Sequence, residues 1–248
     1  MATVTVVLNQ KGGIGKSTIT VNLAATIAEV LSRTSLNDDE WAPVAAVSID
    51  PQGSTPWWAE RVGDDLPFVF IEAFDDPEGI KKLRSTTKVK RAIVDTPGWM
   101  DPAARRGGVG NDGLGKGEVA EAIRAALDSA DHVIVPIEPE SLGWEPTKST
   151  IDRIIKPRNL PFTVVISNWD PRDGHSDLQE TIEFCRRQGW PLAKTVIRHY
   201  KLHARAAADG QVVTRYPKSR IAQEARQDFS DLALEHELRL AESRTGGF

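Results

Sequence analysis

Cysteine is almost absent from this sequence, and long apolar runs are absent altogether. One cysteine, Cys185, stands among 248 residues. A single thiol excludes an intrachain disulfide and any multi-cysteine metal site. It falls in a helix-like stretch, where a packing role is expected. Only two tyrosines, Tyr200 and Tyr216, are present, so there is no tyrosine-rich tail. No apolar stretch approaches the ~18 residues of a membrane span. The start, Met1-Ala2-Thr3-Val4, runs straight into a strand-like segment and lacks the basic and apolar regions of a signal peptide. A cytoplasmic location is the expectation. The net charge of −4 excludes a globally basic nucleic-acid binder, so any DNA contact has to come from a local patch.

What is present fits a soluble α/β protein. Hydrophobic residues make up 40% and charged residues 27%. No shift in composition marks a boundary, so residues 1–248 are expected to form one domain. Strand-length apolar runs occur at 3–8, 44–49, 68–72, 91–95, 132–137, 162–167 and 193–197. Several are near-continuous, such as Val133-Ile134-Val135, as strands covered on both faces are. Helical periodicity appears at 17–32, 118–129, 144–156, 176–188 and 219–241. The alternation predicts a mainly parallel, twisted sheet with helices on both faces. In the last helix Ser219 is the expected N-cap, with Ile221, Ala225, Phe229 and Leu232 as the apolar face. Two loops stand out: a polar one at 36–43, and a Gly-rich one at 98–117 that carries Arg105 and Arg106. The second is long for a connection inside a compact domain.

The strongest chemical signal is Asn9-Gln10-Lys11-Gly12-Gly13-Ile14-Gly15-Lys16-Ser17-Thr18. It follows a strand and opens a helix. Glycines there let backbone N–H groups turn inward around phosphate oxygens, and the helix adds its N-terminal dipole. In such a loop Lys16 reaches the β- and γ-phosphates and the Ser17 hydroxyl binds Mg²⁺. Gln10 stands where the general pattern has glycine, and a second lysine, Lys11, is added.

Three further strand ends carry polar residues. Asp50-Pro51-Gln52-Gly53-Ser54 follows the second strand. An aspartate there can orient water or metal, although the same tetrapeptide is also ordinary turn chemistry. Ala92-Ile93-Val94-Asp95-Thr96-Pro97-Gly98 is an apolar strand ending in aspartate, as a Walker B element does, its carboxylate holding Mg²⁺ through water. Asn168 ends the sixth strand, and its amide offers both a donor and an acceptor. Gly108-Val109-Gly110-Asn111-Asp112-Gly113 matches the dinucleotide fingerprint only as a string, since it lies in a long loop rather than in a strand-to-helix turn. Between Arg186 and Arg226 lie ten lysines and arginines against two acids, Asp209 and Glu224. Such a stripe can bind a phosphate backbone without reading sequence, or be a solvated basic face.

The Lys-Gly-Gly-x-Gly-Lys-Ser form of residues 11–17 resembles the deviant Walker A motif of the ParA/MinD family of P-loop ATPases. Asn-Gln-Lys-Gly-Gly and Asp-Pro-Gln-Gly-Ser are similar to the ParA branch, and Asp-Thr-Pro-Gly resembles the family's switch region. The resemblance runs from Thr3 to about Leu234 and is densest in the nucleotide motifs. It implies an ATPase using ATP/ADP and Mg²⁺, cycling through a homodimer that sandwiches nucleotide. Residues Gly12, Gly13, Ile14, Gly15, Lys16, Ser17 and Thr18 would cradle the phosphates. Lys11 would cross the interface to the partner's ATP, and Asp50 would position the attacking water. That makes Lys11, Lys16 and Asp50 the catalytic set, and Ser17, Asp50 and Asp95 the metal set. Asn168 would bind the adenine edge. Where the family often has Ile-Pro-Arg after the next strand, this chain has Val196-Ile197-Arg198.

The same resemblance implies nonspecific DNA binding by C-terminal cations, here Arg198, Lys201, Arg205, Arg215, Lys218 and Arg220. It also implies a nucleoid-associated location, a short form without a helix-turn-helix module, and a ParB-type centromere-binding partner. The implied function is segregation or positioning of plasmid or chromosomal DNA. The main rival is a MinD-like positioner acting on a membrane or protein cargo. A basic amphipathic tail is missing: residues 235–248 carry Glu235, Glu237 and Glu242 against Arg239 and Arg244, so no membrane contact is expected. An iron–sulfur reductase needs two cysteines and a tyrosine kinase needs its tyrosine-rich tail. A carboxylate-phosphorylating synthetase would be told by a phosphorylated product.

Overall fold

The computed structural model describes residues 1–34, 43–99 and 112–245. The polar loop expected at 36–43, Arg105, Arg106 and the first four residues of the fingerprint-like string therefore lie outside the described residues, apart from Pro43.

Seven strands form one sheet: β1 (Thr3–Val7), β2 (Val44–Ser48), β3 (Val69–Glu72), β4 (Arg91–Asp95), β5 (His132–Ile137), β6 (Phe162–Trp169) and β7 (Leu192–Arg198). Their order is β3-β2-β4-β1-β5-β6-β7 and every pairing is parallel. All seven expected strands are present, within about two residues at each end, the usual uncertainty of element boundaries. The apolar character of β1, β2 and β5 follows from burial on both faces, whereas the edge strands β3 and β7 are partly exposed. Alternate residues divide between two cores. Val4 and Val6 of β1 join Ala122, Ile123 and Ala126 on one side. Val7 joins Leu23, Ala24, Ala225 and Phe229 on the other.

The helices that supply these layers are α1 (Lys16–Thr34), α2 (Ser54–Val62), α3 (Pro77–Lys81), α4 (Glu118–Ser129), α5 (Trp144–Thr150), α6 (Ser176–Arg187), α7 (Lys201–Ala208) and α8 (Arg220–Thr245). Of these, α2, α3 and α7 carry too little periodic apolar signal to be expected from sequence. Each is held by tertiary contacts: Trp58 of α2 donates to the Gln211 carbonyl at 2.8 Å, beyond α7. The helix expected over 144–156 is α-helical only to Thr150. It widens into a π turn at Ile151–Ile155 and tightens to 3₁₀ over Lys156–Arg158, where Pro157 removes a backbone donor.

Ser219 does cap α8, accepting from the Ala222 N–H at 3.1 Å. One apolar-face expectation is corrected: Ile221 is 49% exposed, and Ala222 turns inward instead. At the α8 boundary β7 would be an open sheet edge, which invites pairing with another chain. Carboxylates of α8 occupy it. Glu235 accepts from the N–H groups of Lys194 and Thr195 at 3.0 and 3.2 Å, and Asp228 from that of Arg198 at 3.1 Å. No helix among the described residues is long and apolar enough to cross a membrane.

Candidate phosphate-binding site

From β1 the chain crosses toward β2 on one side, whereas β5 lies on the other. Such a switch point opens a crevice at the carboxyl ends of the strands. The polar strand ends gather there, around a cavity of about 1350 Å³ lined by Gly12, Gly13, Lys16, Ser17, Asp50 and Asn168 among others.

The loop after β1 is shaped by its own residues. Gly13 and Gly15 sit at φ +79° and +84°, where an L side chain is strained. Space beside Gly12 and Gly13 is open for at least 4 Å. Helix α1 begins at Lys16, so the N–H groups of its first turn lack partners within the helix. Asn9, fully buried, pins the loop from behind. Its Nδ2 donates to the Pro136 carbonyl and the Thr147 hydroxyl, both at 2.8 Å, and its Oδ1 accepts from the Lys11 N–H at 3.0 Å. Gln10 accepts from the Trp99 N–H through its carbonyl at 3.0 Å. Gly98 packs so close that a Cβ there would stand 3.1 Å from the Gly12 backbone. The segment after β4 thus presses directly on the phosphate loop.

Lys16 is buried, and its Nζ donates to the Lys11 carbonyl at 2.9 Å. Burial pushes its pKa down, while Asp95 and Asp50 pull it back up. Asp95 is fully buried at the end of β4. Ser17 and Thr55 both donate to its Oδ2, at 2.7 and 2.6 Å. Among the described residues its Oδ1 is buried without a partner. Desolvation pushes the Asp95 pKa up to about 6; the two hydroxyls oppose that shift, and the charge of Asp50 adds to it. The orphaned oxygen and the Ser17 hydroxyl offer oxygen donors to a cation, beside a glycine backbone whose N–H groups can bind an anion. Hard donors of this kind suit Mg²⁺ shared with phosphates. Among the described residues no group of three or more His, Cys, Asp or Glu could hold a metal by itself. Asp50 occupies a tight turn, its Oδ1 accepting from the Gln52 N–H at 2.8 Å.

Lys11 does not point away from its own chain. Its Nζ sits 2.6 Å from Glu138 Oε2 and 3.7 Å from Glu140. Asn168, at φ 58°, donates through Nδ2 to the Gly13 carbonyl at 3.1 Å and to Glu138 Oε1 at 2.9 Å. The structure therefore brings Lys11, Lys16, Ser17, Asp50, Asp95 and Asn168 to one crevice. Sequence reading assigns no role to Glu138 or Thr55, and quotes Asn9 only as part of the loop motif. Glu138 carried the signal used for Asp50 and Asp95: an acid closing an apolar strand.

The six cations expected to meet DNA fall into two groups. Arg198 is bound to Asp228 at 2.6 Å, Arg215 to Glu29 at 3.4 Å and to the Asp65 carbonyl at 2.7 Å, and Arg220 to Glu224 at 2.9 Å. Lys201, Arg205 and Lys218 have no ion pair within the described residues. Lys201 and Arg205, one helical turn apart on α7, line the same cavity as the phosphate loop.

Comparison with known proteins agrees with this geometry. Residues 5–213 match the model of the CobQ/CobB/MinD/ParA nucleotide binding domain. The sequence is 32% identical, over 94% of this chain and 93% of the relative, to the maintenance of carboxysome distribution protein A of Gloeobacter kilaueensis. The fold is similar to a putative plasmid partition protein of Borrelia burgdorferi bound to AMPPNP, with a TM-score of 0.64, 15% identity, and 95% of this chain and 100% of that one covered. It is also similar to the septum site-determining protein MinD of Pyrococcus horikoshii complexed with Mg-ADP, with a TM-score of 0.63, 18% identity, and coverage of 95% and 96%.

Proposed function

The chain belongs to the CobQ/CobB/MinD/ParA family of nucleotide-binding domains, and from that membership we propose that it is a ParA-type positioning ATPase. It binds ATP with Mg²⁺, closes as a homodimer over nucleotide, grips nonspecific DNA in that state, and releases it after hydrolysis. The observation that carries this reading is the crevice itself: a glycine loop with a buried Lys16, and Ser17 bonded to a buried Asp95 that keeps one oxygen free. The nucleotides bound by the plasmid partition and MinD relatives support ATP and magnesium as the ligands.

The chemistry asks little covalent work of the protein. Lys16 and the loop N–H groups neutralise and orient phosphate oxygens, and Lys11 does so from the partner protomer. Ser17 and Asp95 would hold the metal, which would offset phosphate charge. Asp50 keeps one carboxylate oxygen outside its own turn for aligning water. Asn168 meets the base edge through its amide, which carries both a donor and an acceptor. For DNA, Lys201, Arg205 and Lys218 carry the reading best, since their charges are not already met by carboxylates.

Two cargoes follow from different observations. The ParA-like motifs favour plasmid or chromosomal DNA brought by a ParB-type partner. The relative that maintains carboxysome distribution, matched over nearly the whole chain, favours a protein body moved over nucleoid DNA. Both use the same switch. The test is DNA binding by purified protein with ATP, ADP or no nucleotide at fixed salt. Binding confined to the ATP state and weakened steeply by salt is expected. Equal or absent binding in all three states would overturn the DNA reading, and flotation with liposomes plus ATP would then test a membrane cargo.

A further inference from the structure

We infer that Glu138 is a clasp that holds each nucleotide-free protomer back from dimerising. This inference rests on the proposed role of Lys11 in reaching the partner's nucleotide. Glu138 follows the last residue of β5, between β1 and β6 in the sheet. Its two carboxylate oxygens serve two sides of the crevice. Oε2 holds the Lys11 ammonium at 2.6 Å, and Oε1 accepts from Asn168 at 2.9 Å. Both side chains of the ion pair are largely shielded, Lys11 at 25% and Glu138 at 15% exposure. Lys11 thus lies along its own protomer, its Nζ over Gly143, rather than extended outward.

The consequence is a coupling of the phosphate side to the base side. Asn168 has two N–H donors on its amide, and Glu138 and the Gly13 carbonyl take both. While the clasp holds, Lys11 is unavailable in trans and the Asn168 donors are unavailable to a base. A triphosphate brings more negative charge than one carboxylate and competes for Lys11. Only the open fraction of protomers associates productively, so the apparent affinity falls by that fraction, once for each protomer. Glu138 therefore sets the ATP concentration at which the dimer forms.

Glu138→Gln isolates the effect. It keeps the size of the side chain and an acceptor for Asn168, but removes the charge facing Lys11. The measurement is the concentration of a non-hydrolysable ATP analogue giving half-maximal dimer by light scattering. It compares the unmodified protein, E138Q, K11A and the double variant. The half-point of E138Q is expected to fall about three- to tenfold, with K11A and the double variant both failing to dimerise. An E138Q half-point equal to or above that of the unmodified protein, with K11A inactive, overturns the clasp and leaves the trans role of Lys11 standing. ATP-dependent dimers of K11A overturn that role and the clasp with it. A second readout needs no dimer. Acylation of the Lys11 amine in nucleotide-free protein, followed by peptide mass spectrometry, is expected to run several-fold faster in E138Q; equal rates overturn the clasp.

Discussion

Lys11 and Lys16 stand on a loop whose backbone is shaped by glycines, and Lys16 lines an open cavity. Arg198, Arg215 and Arg220 stand in a stretch of equal or greater positive charge, yet each is already met by a carboxylate or carbonyl. The contrast shows that a charge becomes a binding group by what surrounds it, not by its density along the chain. In the loop the backbone turn is encoded within ten residues. In the basic stretch the partners are Asp228, Glu29, Asp65 and Glu224, and some of these lie more than a hundred residues away. Lys11 belongs to both cases, because a distant acid, Glu138, also holds it.

The largest effect that would break this comparison sits in the loop. Lys16→Ala is expected to lower ATP hydrolysis on the order of 10²–10³-fold, read by phosphate release, with productive nucleotide binding lost in calorimetry. If K16A hydrolyses ATP normally, the loop is not the site.

Asp95→Asn separates function from stability. The pKa of Asp95 is raised to about 6 by burial, above its unfolded value. The native state therefore binds more protons between those two values, and stability falls as pH rises through that window. Above about pH 6 the buried charge costs about 3 kcal/mol. Asn at this position can still accept from Ser17 and Thr55. D95N is expected to melt higher than the unmodified protein at pH 7.5 and to lose magnesium-dependent nucleotide binding. The unmodified protein should lose magnesium affinity as pH drops below about 6. A lower melting temperature for D95N would show that the carboxylate is not penalised by burial.

Smaller effects divide the basic stretch. Arg198→Ala leaves the mostly buried Asp228 without its guanidinium and should destabilise the fold by about 2 kcal/mol, measured by denaturant unfolding. Lys201→Ala should leave stability unchanged and reduce the slope of log affinity against log salt for DNA by about 1. The reverse pattern would exchange their roles. Arg220→Ala, almost fully exposed beside Glu224, is expected to leave the melting temperature unchanged.

Elements that obey local rules are legible along the chain. Strand-length apolar runs specified all seven strands, and the central ones, β1, β2 and β5, are apolar nearly throughout because they are buried on both faces. The glycines, Lys16 and Ser17 specified the phosphate loop, because its backbone geometry is set by residues adjacent in the chain. Acids closing apolar strands pointed to Asp50 and Asp95. Tertiary structure alone decided the rest. It formed α2, α3 and α7, whose weak periodicity is overridden by packing, and turned Ile221 outward while drawing Ala222 in. It also placed Thr55 and Ser17 on the same oxygen of Asp95, and Glu138 between Lys11 and Asn168. These are meetings of residues dozens of positions apart, and no local spacing records them. Only the parallel order of the strands brings their carboxyl ends, and the charges they carry, within hydrogen-bonding distance.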